Sequence, residues 1–137
     1  MKKLISIAIV LMLCFLSVVQ VFANDYGVAP CYNNVSDTFT DFSIDSNGKA
    51  SVYVSFDGYS GVTTGATISV KLEKKILWWW SDVDNASWSD EVSGSTFSTT
   101  HTIQLSSGGT YRCTYEYQIR GTGGATDTIT GEIECKY

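Results

Sequence analysis

Residues Tyr111-Arg112-Cys113-Thr114-Tyr115-Glu116-Tyr117-Gln118-Ile119-Arg120 alternate between apolar or aromatic and polar side chains without a break. Successive side chains of a strand point to opposite faces, so strict period two marks a strand with one face buried and one in water. Tyr111, Cys113, Tyr115, Tyr117 and Ile119 take the inner face. Gly121-Thr122-Gly123-Gly124 then turns the chain, and Ile129, Ile133, Cys135 and Tyr137 share one face of a last strand.

The same period runs through the segments that come before. Phe97, Ile103 and Leu105 share a parity, as do Ile68, Val70 and Leu72 within Thr67 to Glu73, and Ala50, Val52, Val54 and Phe56. A further strand over Thr38 to Asp45 leads into Asn47-Gly48, and both of these residues tolerate the positive φ of a type I′ hairpin turn. No segment beyond the N-terminal apolar run has helical period. Seven or eight short, glycine-punctuated strands predict an all-β fold, an immunoglobulin-like antiparallel β-sandwich. Tyr111 two residues before Cys113 matches the tyrosine corner of such domains. Ala50 to Phe56 carries no cysteine, so the inter-sheet disulfide of antibody domains is excluded.

The N-terminus reads as a secretory signal peptide over residues 1–23. Lys2 and Lys3 form a basic n-region, Leu4 to Val19 an apolar h-region, and Val21-Phe22-Ala23 a cleavage site. An uncleaved membrane anchor is the alternative reading of that run. Residues 24–36 form a lead and 37–137 a single domain. The processed chain of 114 residues is expected to be extracellular, with 7 Lys and Arg against 14 Asp and Glu. That acidic balance argues against nucleic acid and anionic membrane as partners, since both attract basic surfaces. No membrane association is expected after signal cleavage.

Cys31, Cys113 and Cys135 remain in the processed chain. Cys113 and Cys135 share the inward parity of neighbouring strands, which predicts a disulfide between them; buried free thiols are the alternative. A zinc site is disfavoured, because the chain has no CxxC pair and His101 is its only histidine. His101 falls mid-strand among apolar residues, the setting of a structural imidazole rather than of a catalytic base. Carboxylates lie mostly on outward parity or in turns, so the paired-acid reading for glycoside hydrolysis is weak. Asp82, Asp84, Asp90 and Glu91 fall in one loop-like segment and are the calcium candidates, although their spacing misses the EF-hand pattern. Nothing in the sequence implies a cofactor, and the expectation is a protein that is not an enzyme.

Several segments resemble a family of small secreted single-domain proteins of Gram-positive, clostridia-like bacteria. They are Ala29 to Val35, Gly58 to Ile68, Lys71 to Lys75, Gly109 to Cys113 and Gly121 to Thr130. The resemblance spans most of the processed chain and implies secretion and a β-sandwich. The family has no assigned activity, so the resemblance brings no functional residues. Its pattern includes a tryptophan about eight residues beyond the Leu-Glu-Lys element, matched here by Trp80.

All four tryptophans lie in Lys75 to Trp88, reading KILWWWSDVDNASW. If the strand that starts at Thr67 continues in register, Ile76, Trp78 and Trp80 face inward and Leu77 and Trp79 outward; Lys74 at an inward position suggests a bend, bulge or turn near Lys74-Lys75, beyond which the parity could flip. Both faces are then apolar, and apolar surface left exposed often marks binding. Leu77 and Trp79 are therefore the candidate ligand-binding residues. The expected role is a non-catalytic interaction module for an extracellular protein or glycan, with a structural or accessory envelope protein as the alternative.

Overall fold

The computed structural model describes residues 31–137. The expected signal peptide and the first residues of the lead lie outside the described residues. Seven strands follow one another: β1 Val35–Ile44, β2 Lys49–Gly58, β3 Thr63–Ile76, β4 Trp79–Ser93, β5 Thr96–Gln104, β6 Thr110–Gly121 and β7 Asp127–Lys136. They form two antiparallel sheets in the orders β1-β2-β5 and β4-β3-β6-β7. This is the immunoglobulin-like sandwich in which the fourth strand joins the sheet of strands three, six and seven.

Period two explains the packing. Ala50, Val52, Val54 and Phe56 of β2 meet Ala66, Ile68, Val70 and Leu72 of β3 and Tyr111, Cys113, Tyr117 and Ile119 of β6 in one buried core. Inward residues from both sheets interdigitate, and their polar neighbours stay wet. Tyr117 reaches furthest across: its hydroxyl donates to the Phe39 carbonyl at 2.8 Å and shares a 2.7 Å hydrogen bond with Thr40 Oγ1. Both phenol oxygens of the core are thus satisfied, for the Tyr111 hydroxyl donates to the Ser107 carbonyl at 2.5 Å. That second bond is the tyrosine corner, anchoring the β5–β6 connection to the start of β6.

Four expectations need correction. The hairpin between β1 and β2 is not a type I′ turn. Gly48 alone takes positive φ, +79°, while the Asp45 carbonyl accepts from Gly48 N–H at 3.0 Å. Asp45 Oδ1 also accepts from the Asn47 and Lys49 amides, so an Asx-type turn with a glycine bulge replaces the two-residue turn. Second, Cys113 pairs with Ile133 and Cys135 with Tyr111, which leaves the two cysteines diagonal. Diagonal neighbours are roughly 7–8 Å apart, beyond disulfide reach, and Cys31, Cys113 and Cys135 are all free thiols.

Third, the lead contributes to the fold before residue 37. Asn34 and Val35 are fully buried. The Asp127 carboxylate accepts from the backbone N–H groups of Asn33 at 3.0 Å and Asn34 at 2.6 Å. Asn34 Nδ2 donates to the Ala125 carbonyl at 2.8 Å, its Oδ1 accepts from Gly123 N–H at 3.1 Å, and Thr63 Oγ1 donates to its carbonyl. This clamp ties the entry of the chain to the β6–β7 turn and to the start of β3.

Fourth, the segment after β3 is not a loop. Trp79 to Ser93 is a strand of 15 residues that pairs along β3, interrupted where Val83 to Ala86 stand opposite Leu72 alone. The excess residues form a four-against-one special bulge in which Asn85 takes φ +59° and Ala86 tucks into the core.

Candidate functional site

Strand β3 outruns its inner neighbour. Its pairing with β6 ends at Lys74↔Tyr111, whereas its pairing with β4 continues through Lys75↔Trp80 to Ile76↔Trp79. The last two rungs of the β3–β4 hairpin therefore project as a two-stranded finger. Leu77 and Trp78 make the turn at its end.

Two-residue hairpin turns normally use Gly, Asn or Asp where φ is positive, because a Cβ is crowded there. Leu77 holds φ +57° at the first turn position. A branched apolar residue in that region is a strained choice, and strain of this kind collects at binding sites. Exposure points the same way: Leu77 is 73 %, Trp78 81 % and Trp79 45 % exposed, with Ile76 beside them also exposed. Trp78 and Trp79 meet edge to face, their ring centroids 5.1 Å apart and planes at 76°.

The turn also resets the parity expected from an uninterrupted strand. Trp79, paired with Ile76, takes the sheet face that looks toward the other sheet. Trp80, paired with Lys75, lies on the outer face rather than in the core. There the Arg112 guanidinium sits 4.5 Å and Lys75 Nζ 5.5 Å from its ring centroid. Leu77 and Trp79, the candidates from sequence, are both exposed; Trp78 is more so. Period two carried in register past Lys75 puts it on the core side, whereas the chain reverses at Leu77-Trp78 and leaves it at the apex. The sequence signals for a break are Lys74 at an inward position and the run of bulky apolar residues on both parities; the reversal falls at Leu77-Trp78, two residues beyond Lys75.

Behind the finger, charges pair off. Glu73 is buried and accepts from Arg112 Nε at 2.8 Å. That guanidinium, followed by Lys71, holds the Glu73 carboxyl below the usual glutamate range. Lys71 also meets Asp82 at 3.0 Å, and this contact with Asp82 leads the causes that raise the lysine pKa. Lys74 donates to Ser107 Oγ at 2.6 Å and lies over the Tyr111 ring, and Lys75 lies over the Trp80 ring. Among the described residues neither of these two ammonium groups has a carboxylate partner.

A cleft of about 410 Å³ opens below the finger between β4 and β5, lined by Lys74, Ile76, Asp82, Asp84, Ser107 and Tyr111 among others. Its polar groups are largely committed: Asp82 to Lys71, Lys74 to Ser107, and the Tyr111 hydroxyl to the Ser107 carbonyl. The Asp84 carboxylate and the Ser81 and Ser106 hydroxyls of its lining have no side-chain partner among the described residues and are what a small ligand could still address.

The calcium candidates do not converge. Asp90 and Glu91 are adjacent on β4 and so face opposite sides. Asp90 Oδ2 is 2.7 Å from His101 Nε2, between the sheets, and Glu91 accepts from Thr67 Oγ1 at 2.6 Å and from Arg120 outside. Asp82 is held by Lys71, and Asp84 lies in the bulge, exposed. Among the described residues no group of three or more His, Cys, Asp or Glu side chains is arranged to hold a metal.

His101 has the company of a structural imidazole. Trp88 stacks on its ring at 5.0 Å with planes 13° apart, and its one side-chain hydrogen bond is to Asp90. No hydroxyl or thiol among the described residues is hydrogen-bonded to the ring, so a histidine–carboxylate pair is present without a nucleophile. Cys113 is equally unsuited to attack, because burial pushes its thiol up to about 12.

No protein-family model matches the chain, and no curated protein matches it in sequence.

Proposed function

We propose that this chain is a secreted, non-catalytic interaction module that docks through the tip of its β3–β4 hairpin. One observation carries the reading. Leu77, Trp78 and Trp79 stand exposed on a finger that projects past the supporting strand, with a leucine in a backbone conformation that favours glycine. Nothing in the packing of the sandwich calls for them, since the core closes without any of the three. Aromatic anchors at the centre of a contact carry a large share of binding energy, and two tryptophans with a leucine make such a cluster. Extracellular action follows from the signal-peptide reading of residues 1–23 and accords with the acidic, soluble remainder.

The test compares retention of the exported protein on whole cells and envelope preparations with that of a variant in which Leu77, Trp78 and Trp79 are all changed to serine. The tip variant should fold normally and lose at least about tenfold in binding, the equivalent of one fully buried apolar side chain. Equal retention of both proteins refutes a docking tip.

A further inference from the structure

The shape of the finger selects among the surfaces it could meet. Sugar rings stack on flat aromatic faces, but Trp78 and Trp79 are set at 76° to one another around a convex apex. The one aromatic ring lining the neighbouring cleft, that of Tyr111, is buried beneath Lys74, so the cleft offers a sugar no platform to stack on. A convex apolar knob suits a medium that closes around it.

We propose that the Ile76–Trp79 tip seats in the interfacial layer of a lipid bilayer, with Lys74 and Lys75 at the depth of the lipid phosphates. The inference rests on the docking reading above and names its partner. Three features agree on it. The first is depth. Leu77 and Trp78 lie about two residues beyond Lys75, or about 7 Å at ~3.4 Å per residue. Interfacial segments bury their apolar face by roughly 5–10 Å, so the apex fits the layer while the lysines stop at its outer edge.

The second is composition. Tryptophan concentrates at membrane–water boundaries, where its ring is apolar and its indole N–H can stay wet. The backbone is partly ready for such a setting, because the Ile76↔Trp79 rung at the apex is paired, while the turn residues and the outer edge of β4 keep open amides that the hydrated interfacial layer can satisfy. The third is charge. Lys74 and Lys75 are the basic residues closest to the apex, on opposite faces of β3, and neither is neutralised by a carboxylate. Phosphate is the natural counter-ion for Lys75, and for the N–H groups of Lys74 that its single bond to Ser107 leaves over. The net acidity of the chain opposes long-range attraction to anionic membranes. It has little hold on a tip already in contact, since charges more than about 8 Å away are screened at physiological salt.

The experiment uses protein purified after export, its N-terminus checked by mass, with large unilamellar vesicles of phosphatidylcholine. Partitioning is read by flotation and by acrylamide quenching of tryptophan emission. The wild type is expected to float with vesicles at about millimolar lipid, with a blue-shifted, quench-protected emission. Leu77→Asp and Trp78→Ala should each reduce partitioning at least about tenfold, with an unchanged thermal midpoint. Wild type left in the lipid-free fraction overturns the proposal, as does flotation of both variants like wild type. If vesicles are ignored while tip-dependent retention on a delipidated envelope fraction persists, the lipid partner is refuted and the docking tip survives. Loss of tip dependence in both arms refutes both.

Discussion

Asp127→Ala should destabilise the fold by about 3 kcal/mol. The carboxylate is buried, and its two oxygens accept from the backbone N–H groups of Asn33 and Asn34 at 3.0 and 2.6 Å. Hydrogen bonds to a charged acceptor are worth about 1.5–3 kcal/mol each, and a buried donor left without a partner adds its own desolvation cost. The Asn34 residue is wholly inaccessible, so its amide cannot turn to water without movement of the lead. The Asn33 residue is exposed and recovers much of its loss from solvent. Counting the first bond nearly in full and the second at a fraction gives the figure. For a domain of this size it amounts to a fall in thermal midpoint of roughly 10–20 °C. Asp127→Asn keeps the shape and one acceptor but turns an NH2 group toward a backbone N–H, so it should fall between wild type and alanine. Urea unfolding followed by tryptophan emission gives the free energies. A change below about 1 kcal/mol for alanine would mean that water or the Asn34 side chain replaces the carboxylate, and the clamp would lose its assigned role.

The remaining predictions concern the thiols, the tyrosine corner, the buried ion pair and the inter-sheet histidine. In denaturant without reductant, Cys31, Cys113 and Cys135 should all react with a maleimide; in the native protein Cys31, which is exposed, should label first and Cys113 only on unfolding. Tyr111→Phe should cost about 1 kcal/mol by removing the bond to Ser107, and near-equality with wild type in urea would count against the corner. Glu73 has a folded pKa below its unfolded one, so its contribution is present above the ordinary glutamate range and lost as pH falls through the folded value. A Glu73→Gln variant should therefore show a shallower acid-induced decline in stability than wild type, and parallel curves would contradict the assignment. His101→Ala should cost about 1–2 kcal/mol, losing the Trp88 stack and the Asp90 bond, without altering any tip-dependent binding.

How much of this was legible in the sequence depended on periodicity. Strands β2 and β6 could be read residue by residue, because a wet face and a dry face alternate along them. β4 could not: Asp82, Asp84, Asp90 and Glu91 look like loop residues, and the four-residue bulge breaks its parity midway. The disulfide expectation failed for a related reason. Parity places a side chain on a face, but register decides its neighbour, and register depends on the turn at Gly121 to Gly124. The tip was half legible. Apolar residues on both parities announced exposed surface at Leu77 and Trp79, yet no turn residue marks the reversal, so Trp78 and Trp80 were assigned to the wrong side. A leucine in left-handed conformation has no signature in a sequence read for glycine, asparagine and aspartate.

Strand β3 begins beside the clamp, where Thr63 bonds to Asn34, and ends at the finger. Its 14 residues set those two features at opposite poles, about 45 Å apart at ~3.3 Å per residue. A fluorophore, affinity tag or solid support joined ahead of Asn33 consequently enters the domain at the pole remote from Leu77 and Trp78. Orientation on a sensor surface thus becomes a choice: immobilisation through the N-terminal side presents the tip to solution, whereas coupling near Tyr137, packed against Gly48 and hydrogen-bonded to Gly109, crowds the same end as the finger.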